Sequence, residues 1–325
     1  MKMVLTTGGA GFIGSNFIRY FLRRNRNFIV VNIDKQAYPA ELGRLADLEN
    51  SPRYHHIKGD VCNQDLIEYV FRKFKPSWII NFCTEPEQMK NPGKFVYSNT
   101  SSFSATLSLL EGARSIWGRT LLTEKRFVQV SADDVYGFPS CGNDGLDESA
   151  AFMPSDPYAA IKAGADLMVS AYNMAYGLPT IILRCCSIYG PWQSRDCTVP
   201  SIIRSILAGK EPQLRNDGPA EEWLHVTDLS SAITRALFFA SPGSIFNIGS
   251  GDTATPAELS AILARLAGIQ TERVYDPAKR KASIKILRLD CRKAAKKLKW
   301  AKGYSLEEGL NNVLKWYENH DSEVF

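Results

Sequence analysis

The sequence predicts an α/β fold, a doubly wound parallel sheet with a smaller C-terminal lobe, and three observations support this prediction. A glycine-rich turn at residues 6–14 joins a short apolar run to a stretch with apolar residues at helical spacing. Strand-like runs then alternate with helical patterns, as in sheets whose parallel strands are joined by crossover helices. The alternation weakens after Tyr189-Gly190-Pro191. The strand-like runs cover residues 4–7, 28–34, 54–57, 78–83, 127–131 and 180–184.

This pattern divides the chain into two expected domains. The larger one comprises residues 1–184 and 222–244, and the smaller lobe comprises residues 185–221 and 245–325. Two helical stretches, at 101–116 and 159–176, are long and apolar. If both cover the same side of the sheet, they are expected to pair with their copies in a homodimer. The alternative, that they only cover the sheet, stays open.

The composition is that of an ordinary globular protein. Of the 325 residues, 45% are hydrophobic and 22% charged, the net charge is +5, and no apolar stretch is long enough to span a bilayer. The basic segment 279–299 lacks interleaved aromatic side chains, so we interpret it as a solvated helix face with a few anion ligands rather than a nucleic-acid site. The seven cysteines form no CxxC pair and no metal-type spacing with the four histidines. This favours free thiols in a reducing cytoplasm and no metal site.

The glycine-rich turn has the spacing of a dinucleotide-binding motif. Gly8, Gly11 and Gly14 allow a tight strand-to-helix turn and a close approach of a pyrophosphate to the backbone. The helix that follows begins at Phe12 and Ile13, and its first N–H groups and partial positive charge attract an anion. The sequence therefore predicts a bound dinucleotide at this turn.

An acidic residue stands where such a cofactor needs one. Asp34 ends the second strand-like run, about 20 residues after the turn, where a carboxylate binds the adenosine ribose hydroxyls. A 2′-phosphate would be repelled by this carboxylate, so Asp34 predicts NAD. Lys35 follows directly and is assigned to the same site.

A tyrosine and a lysine lie one helical turn apart further along the chain. Tyr158 and Lys162 share one helix face, and a nearby ammonium group stabilises phenolate and lowers the tyrosine pKa. Such a phenol can take a proton from a sugar hydroxyl while hydride leaves for a nicotinamide. Upstream, Asp133 and Asp134 directly follow a strand-like run, where open parallel sheets present catalytic groups. The alternative interpretation of this acidic pair is a helix cap or a solvated turn.

Several motifs occur in a fixed order. They are TTGGAGFIG (6–14), NIDK (32–35), GDV (59–61), SADDVYG (131–137), YAAIK (158–162) and IYGP (188–191). In this order the chain resembles the extended short-chain dehydrogenases/reductases, and among them the dTDP-glucose 4,6-dehydratases and related nucleotide-sugar 4,6-dehydratases. The resemblance implies a Rossmann-type fold, bound NAD and a dTDP- or UDP-hexose as substrate. It also places Asp60, with Val61, at the adenine.

The resemblance further implies roles for the acidic pair. Asp133 matches the general acid that protonates the departing C6 hydroxyl, and Asp134 matches the glutamate that abstracts the C5 proton. Tyr158, Lys162 and NAD would first oxidise C4, water would then be eliminated across C5 and C6, and the hydride would return to C6.

Five positions depart from the dehydratase pattern and predict a non-standard substrate. Ala132 replaces a threonine expected to assist the tyrosine, and Asp134 is one methylene shorter than glutamate. Glu221 stands where an arginine is expected to bind the diphosphate, and Ser187 replaces an asparagine. Glu85 begins a Glu-Pro-Glu segment in place of a serine-histidine pattern. Candidates for the missing positive charge are Arg195, Arg215, Lys285 and Arg288.

Two other functions remain open from the sequence. A nucleotide-sugar 4-epimerase or 4-oxidising decarboxylase needs only NAD, Tyr158 and Lys162, although epimerases usually have small hydroxylated residues in place of the acidic pair. A non-catalytic nucleotide-binding homologue is favoured by Ala132 and Glu221, and disfavoured by the intact Tyr158 and Lys162.

Overall fold

A sheet of seven parallel strands forms the centre of the molecule. The computed structural model describes residues 1–36, 43–83, 92–118, 122–137, 145–210, 220–269 and 287–324, with side chains except at 92–101 and 321–324. The strands are β1 (Lys2–Thr7), β2 (Phe28–Asp34), β3 (Tyr54–Lys58), β4 (Trp78–Asn81), β5 (Arg126–Ala132), β6 (Thr180–Cys185), β7 (Ser187–Tyr189), β8 (Glu221–His225), β9 (Ser244–Ile248) and β10 (Thr253–Ala254). The large sheet has the order β3-β2-β1-β4-β5-β6-β9, and all its neighbouring pairs are parallel. The predicted doubly wound sheet is confirmed.

Each of the six strands expected from the sequence is present. β2 has the predicted bounds, and the others differ by one or two residues at an end. Helices cover both faces of the sheet, so inner strands such as β2 and β6 are buried on both sides and consist largely of apolar residues. The strand order reverses at β1, between β2 and β4, and ligands of such sheets bind at the carboxyl ends of the strands beside this point.

Helices cover both faces of the large sheet and also pack against a smaller sheet. They are α1 (Phe12–Arg24), α2 (Gln64–Phe74), α3 (Pro92–Trp117), α4 (Pro157–Tyr176), α5 (Thr198–Leu207), α6 (Val226–Phe239), α7 (Pro256–Leu266), α8 (Arg292–Leu298) and α9 (Leu306–Val324). α1 and α6 pack together on one face, whereas α2, α3 and α4 cover the other. The two long apolar helices of the sequence are α3 and α4. They pack side by side on the same face, which is the arrangement that the homodimer hypothesis requires.

A second unit with its own core follows the large sheet. β7 and β10 flank β8 in a three-stranded sheet, against which α5, α7 and α9 pack. Its core includes the fully buried Ile203, Leu259 and Val313, together with Trp223. The helices α5, α7 and α9, which supply this core, come from the residues expected in the smaller lobe.

Three segments lie elsewhere than the predicted domain limits place them. β8 belongs to the small sheet, although residues 222–244 are predicted to return to the large domain. β9 extends through Ile248 in the large sheet, where it pairs with β6 and covers an edge that β6 would otherwise expose. α8 packs on α6 and β9, and its Ala294 and Leu298 are buried in the core of the large domain.

Candidate active site

The glycine-rich turn is closed by contacts that leave no space for side chains. Gly8 has a φ of 70°, in the left-handed region that favours glycine, and its N–H donates to the carbonyl of Ile33 at 3.1 Å. A Cβ at Gly14 would lie 2.6 Å from the Gly8 carbonyl oxygen. α1 then begins with Gly11 as its N-cap and no side-chain cap, so its first N–H groups are available to an anion. These residues fit the pyrophosphate of a dinucleotide.

Asn32, on β2, holds Gly9 of this turn in place, and the sequence analysis predicted no role for either residue. The buried Asn32 Oδ1 accepts hydrogen bonds from the Gly9 N–H at 3.0 Å and from the Thr6 hydroxyl at 3.1 Å. A Cβ at Gly9 would collide with the Asn32 side chain and lie 2.7 Å from Ile18 Cδ1. A polar residue inside an otherwise apolar buried strand was the available signal for Asn32.

The residues predicted to bind the adenosine half lie together at the ends of β2 and β3. Asp34 accepts hydrogen bonds from the N–H groups of Ala10 and Gln36, each at 2.8 Å, so it also joins the glycine turn to β2. Lys35 Nζ lies 3.2 Å from Asp60 Oδ2. Burial opposes ionisation of Asp60, but the Cys62 N–H and Lys35 outweigh it and lower the pKa of this carboxyl.

Val61 differs from the rest of the predicted adenosine set. It is almost fully buried and packs in the core under α2 and α3. Its side chain therefore supports the end of β3 from within the core.

Asp133 and Asp134 begin a short 3-10 turn, Asp133–Tyr136, directly after β5. Burial raises the pKa of Asp133 well above its usual range, and the charges of Asp134, Glu222 and Glu221 raise it further. Asp134 is exposed beside it. A carboxyl with a raised pKa next to an exposed second carboxyl group has the arrangement of an acid and a base.

Tyr158 and Lys162 lie in the first turns of α4. Asp156 caps this helix by accepting the Ala159 N–H at 2.9 Å. Lys162 is 7% exposed, and its Nζ lies 5.8 Å from the centre of the partly buried Tyr158 ring. The predicted phenol and ammonium groups are thus brought together on one face of the helix.

Cys185, at the end of β6, relates this pair to the acidic turn. Burial raises the pKa of its thiol to about 12, the charge of Asp133 contributes to this rise, and Lys162 opposes it. Ala132 pairs directly with Cys185 across the sheet. Asp133 and Lys162 therefore both lie within electrostatic reach of one thiol at the carboxyl ends of β5 and β6.

Glu221 and Glu222, on β8, place carboxyl groups where the substrate is predicted to bind. The Ser187 hydroxyl donates to Glu221 Oε2 at 2.6 Å, because β7 and β8 are paired neighbours. Glu222 is buried and accepts the N–H groups of Gly251 and Leu289 at 2.6 and 2.9 Å, so its role is structural.

The candidate cations of the substrate side are only partly accounted for. Arg288 is exposed and donates to the Gly251 carbonyl at 3.3 Å, next to the segment that Glu222 holds. Arg195 is exposed in the loop between β7 and α5. Glu85, Arg215 and Lys285 lie outside the described residues.

Comparison with known proteins shows the family of this chain. The sequence model of the GDP-mannose 4,6 dehydratase family matches residues 5–313. The chain belongs to this family. It is 32% identical to a dTDP-glucose 4,6-dehydratase of Haemophilus influenzae, with 98% of each chain covered. It is 31% identical to the enzyme of that name from Neisseria meningitidis serogroup B, covering 98% of this chain and 93% of the relative.

Solved structures of the family have the same fold. A dTDP-glucose 4,6-dehydratase of Bacillus anthracis in complex with NAD matches with a TM-score of 0.86 and 30% identity, over 99% of this chain and 98% of that one. A dTDP-glucose 4,6-dehydratase of Streptomyces venezuelae with NAD bound matches with a TM-score of 0.86 and 30% identity, over 99% and 100%. A UDP-glucose 4-epimerase of Thermotoga maritima, 24% identical with a TM-score of 0.83 over 98% and 100%, shares the fold.

Three further features of this family member concern other kinds of site. Within the described ranges, no group of three or more His, Cys, Asp or Glu side chains could hold a metal ion. Across the same ranges, no helix is long and apolar enough to cross a membrane. Among the described residues, no two cysteines are joined in a disulfide.

Proposed function

We propose that this member of the dehydratase family is an NAD-dependent nucleotide-sugar 4,6-dehydratase that uses Tyr158, Lys162, Asp133 and Asp134. One observation carries the assignment of these residues. The helix α4, which carries Tyr158 and Lys162, packs against the Asp133–Tyr136 turn and against β5 and β6, at the same edge of the parallel sheet as the glycine turn that fits a dinucleotide. An oxidising pair and an eliminating pair in one place are what a 4,6-dehydration needs.

The residues divide the chemistry between them. NAD, when bound, supplies the hydride acceptor for C4 and later the hydride donor for C6. Tyr158 takes the O4 proton, and Lys162 stabilises the phenolate. Asp134 takes the C5 proton, and Asp133 gives its proton to the C6 hydroxyl, which leaves as water. Asp134 then returns its proton to C5, and the proton on Tyr158 passes through solvent to Asp133, so the net change is the loss of one water.

The identity of the hexose and the base is a separate proposal. The Ser187–Glu221 hydrogen bond holds a carboxylate where a diphosphate-binding cation is expected, which supports a substrate other than the usual dTDP-glucose. Arg288 lies near this edge, where it donates to the Gly251 carbonyl, and is a candidate to neutralise the diphosphate of a dTDP- or UDP-linked hexose.

A substrate panel tests the proposed reaction. Purified protein is incubated with dTDP- and UDP-hexoses and with a UDP-hexuronic acid, and the masses of the products are measured by mass spectrometry. A product lighter by one water supports the dehydratase. An isomer of unchanged mass would instead identify an epimerase, a product lighter by carbon dioxide a decarboxylase, and binding without turnover across the panel a non-catalytic homologue. Mass spectrometry of co-purifying ligands narrows the choice of base.

A homodimer through α3 and α4 is also proposed. On α4, Leu167 and Met174 lie two turns apart and are 57% and 86% exposed, although both are apolar. We expect a dimer by light scattering and a monomer for Leu167→Lys, with Leu207→Lys, an equally apolar but separate exposed site, as the control. A monomeric wild-type protein would contradict this proposal. Location in the cytoplasm remains a prediction, which is supported by described cysteines that are not joined in disulfides.

A further inference from the structure

A buried arginine connects α4, which carries Tyr158 and Lys162, to the Asp133–Tyr136 turn. Arg184, on β6, is 3% exposed. Its Nε donates to Asp166 Oδ2 at 2.9 Å, and its Nη1 donates to the Tyr136 hydroxyl at 2.9 Å. Asp166 and Tyr136 are both fully buried, so these bonds are shielded from water.

Each partner of Arg184 belongs to a different half of the proposed chemistry. Asp166 lies one helical turn after Lys162 on α4, and the two side chains interact electrostatically. Tyr136 is the last residue of the 3-10 turn that begins with Asp133. One planar guanidinium therefore contacts both the segment that carries the oxidising pair and the segment that carries the acid and base.

Further bonds fix Tyr136 and leave Arg184 little freedom. The Tyr136 hydroxyl donates to Asn247 Oδ1 at 2.7 Å, and Asn247 Nδ2 donates to the Leu146 carbonyl at 2.8 Å. The Arg184 guanidinium lies 4.6 Å from the centre of the Phe152 ring. The planar guanidinium group of Arg184 has several N–H donors in a fixed arrangement, so it can bind Asp166 and Tyr136 at the same time. A lysine, with a single ammonium group, could not match both partners at once.

We propose that Arg184 is a positioning residue that aligns the Tyr158–Lys162 pair, through Asp166, with the Asp133–Asp134 turn, through Tyr136. This inference rests on the proposed function. In this role, the hydrogen bond between Arg184 and Tyr136 supports the elimination of water, and the ion pair between Arg184 and Asp166 supports the oxidation at C4. A purely structural role would lower stability and slow both steps alike.

Stopped-flow measurements on the NAD-loaded enzyme separate these roles. Tyr136→Phe removes one hydroxyl and leaves the Arg184–Asp166 pair intact. We expect it to slow elimination about 10–100-fold, as a misplacement near 1 Å does, with C4 oxidation unchanged, so that reduced nicotinamide accumulates during turnover. Arg184→Lys is expected to give the same signature, because it keeps a positive charge for Asp166 but loses the bond to Tyr136. The double variant should then show no further loss.

A matched control removes another buried hydroxyl. Tyr317 is fully buried in the smaller lobe, and its hydroxyl donates to the Gln193 carbonyl at 3.1 Å. Tyr317→Phe should change the midpoint of thermal unfolding about as much as Tyr136→Phe, without accumulation of reduced nicotinamide.

The possible outcomes separate the two proposals. A Tyr136→Phe enzyme that accumulates no reduced nicotinamide, whether its two steps are slowed equally or not at all, overturns the role of Arg184 while the dehydratase stands. A wild-type enzyme that eliminates no water from any hexose of the panel overturns the proposed function, and the positioning role with it.

Discussion

The cofactor edge of the sheet, at the ends of β1 to β3, differs from the substrate edge, at the ends of β5 to β8. At the cofactor edge, side chains mainly hold backbone: Asn32 accepts the Gly9 N–H and Asp34 the Ala10 N–H. At the substrate edge, burial raises the pKa of Asp133 well above its usual range, and the charges of neighbouring carboxyl groups raise it further. Under the proposed function, binding of the dinucleotide would depend on backbone shape, whereas the chemistry would depend on the charges of individual side chains.

The largest expected effect is a variant at the substrate edge that loses catalytic activity but still binds NAD. Tyr158→Phe removes the phenolic proton acceptor, so kcat should fall about 10²–10⁴-fold. NAD affinity, measured by titration calorimetry, should change by less than about tenfold, the worth of one hydrogen bond. Tyr172→Phe, on the same helix but bonded to Glu111, is the control and should keep full activity. A large loss of NAD affinity in Tyr158→Phe would break the comparison.

A methyl group at the cofactor edge should have the reverse effect. Gly9→Ala forces its Cβ against Asn32 and Ile18, and such overpacking costs about 1–3 kcal/mol of unfolding free energy. We expect NAD affinity to fall about tenfold or more, because the turn must open to relieve the clash. Gly43→Ala is the control, since a Cβ there meets no described atom within 4 Å. Unchanged NAD binding by Gly9→Ala would show that the turn adapts.

The pH dependence of stability tests the substrate edge. The raised pKa of Asp133 means that folding favours its neutral form, so its contribution to stability is present at low pH and is lost as the pH rises through the raised value. Asp133→Asn should therefore gain stability over the wild type as the pH increases, while losing elimination activity. The measurement is the midpoint of thermal unfolding across the pH range.

A second aspartate, Asp147, should affect the pH dependence of stability in the opposite direction. Hydrogen bonds from Ser149 lower the pKa of Asp147, so the stability that its ionised form contributes is lost as the pH falls. Asp147→Ala should approach the wild type on acidification. Parallel curves for Asp133→Asn and the wild type would show that Asp133 ionises freely.

The same contrast explains what the sequence could predict. The glycine turn is contiguous, and Asp34 follows it at a fixed distance along a strand, so local pattern was enough to locate the cofactor edge. Partners at the substrate edge are distant in sequence: Ser187 meets Glu221 and Arg184 meets Tyr136 only through strand pairing and helix packing. Asn32 was missed for the same reason, since its contact with Gly9 depends on how β2 lies beside the turn.

The smallest expected effect concerns the charge at the substrate edge. Glu221→Gln keeps an oxygen that can accept the Ser187 hydroxyl but removes a negative charge that a nucleotide diphosphate would face. Because an exposed charge interaction is worth about 0.2–1 kcal/mol, KM for the accepted nucleotide sugar should fall by about two- to fivefold at low salt, with kcat nearly unchanged. The gain should shrink as ionic strength rises, since salt screens exposed charges. A higher KM in Glu221→Gln would mean that the carboxylate itself binds the sugar, and the substrate edge would then recognise its ligand through acidic side chains.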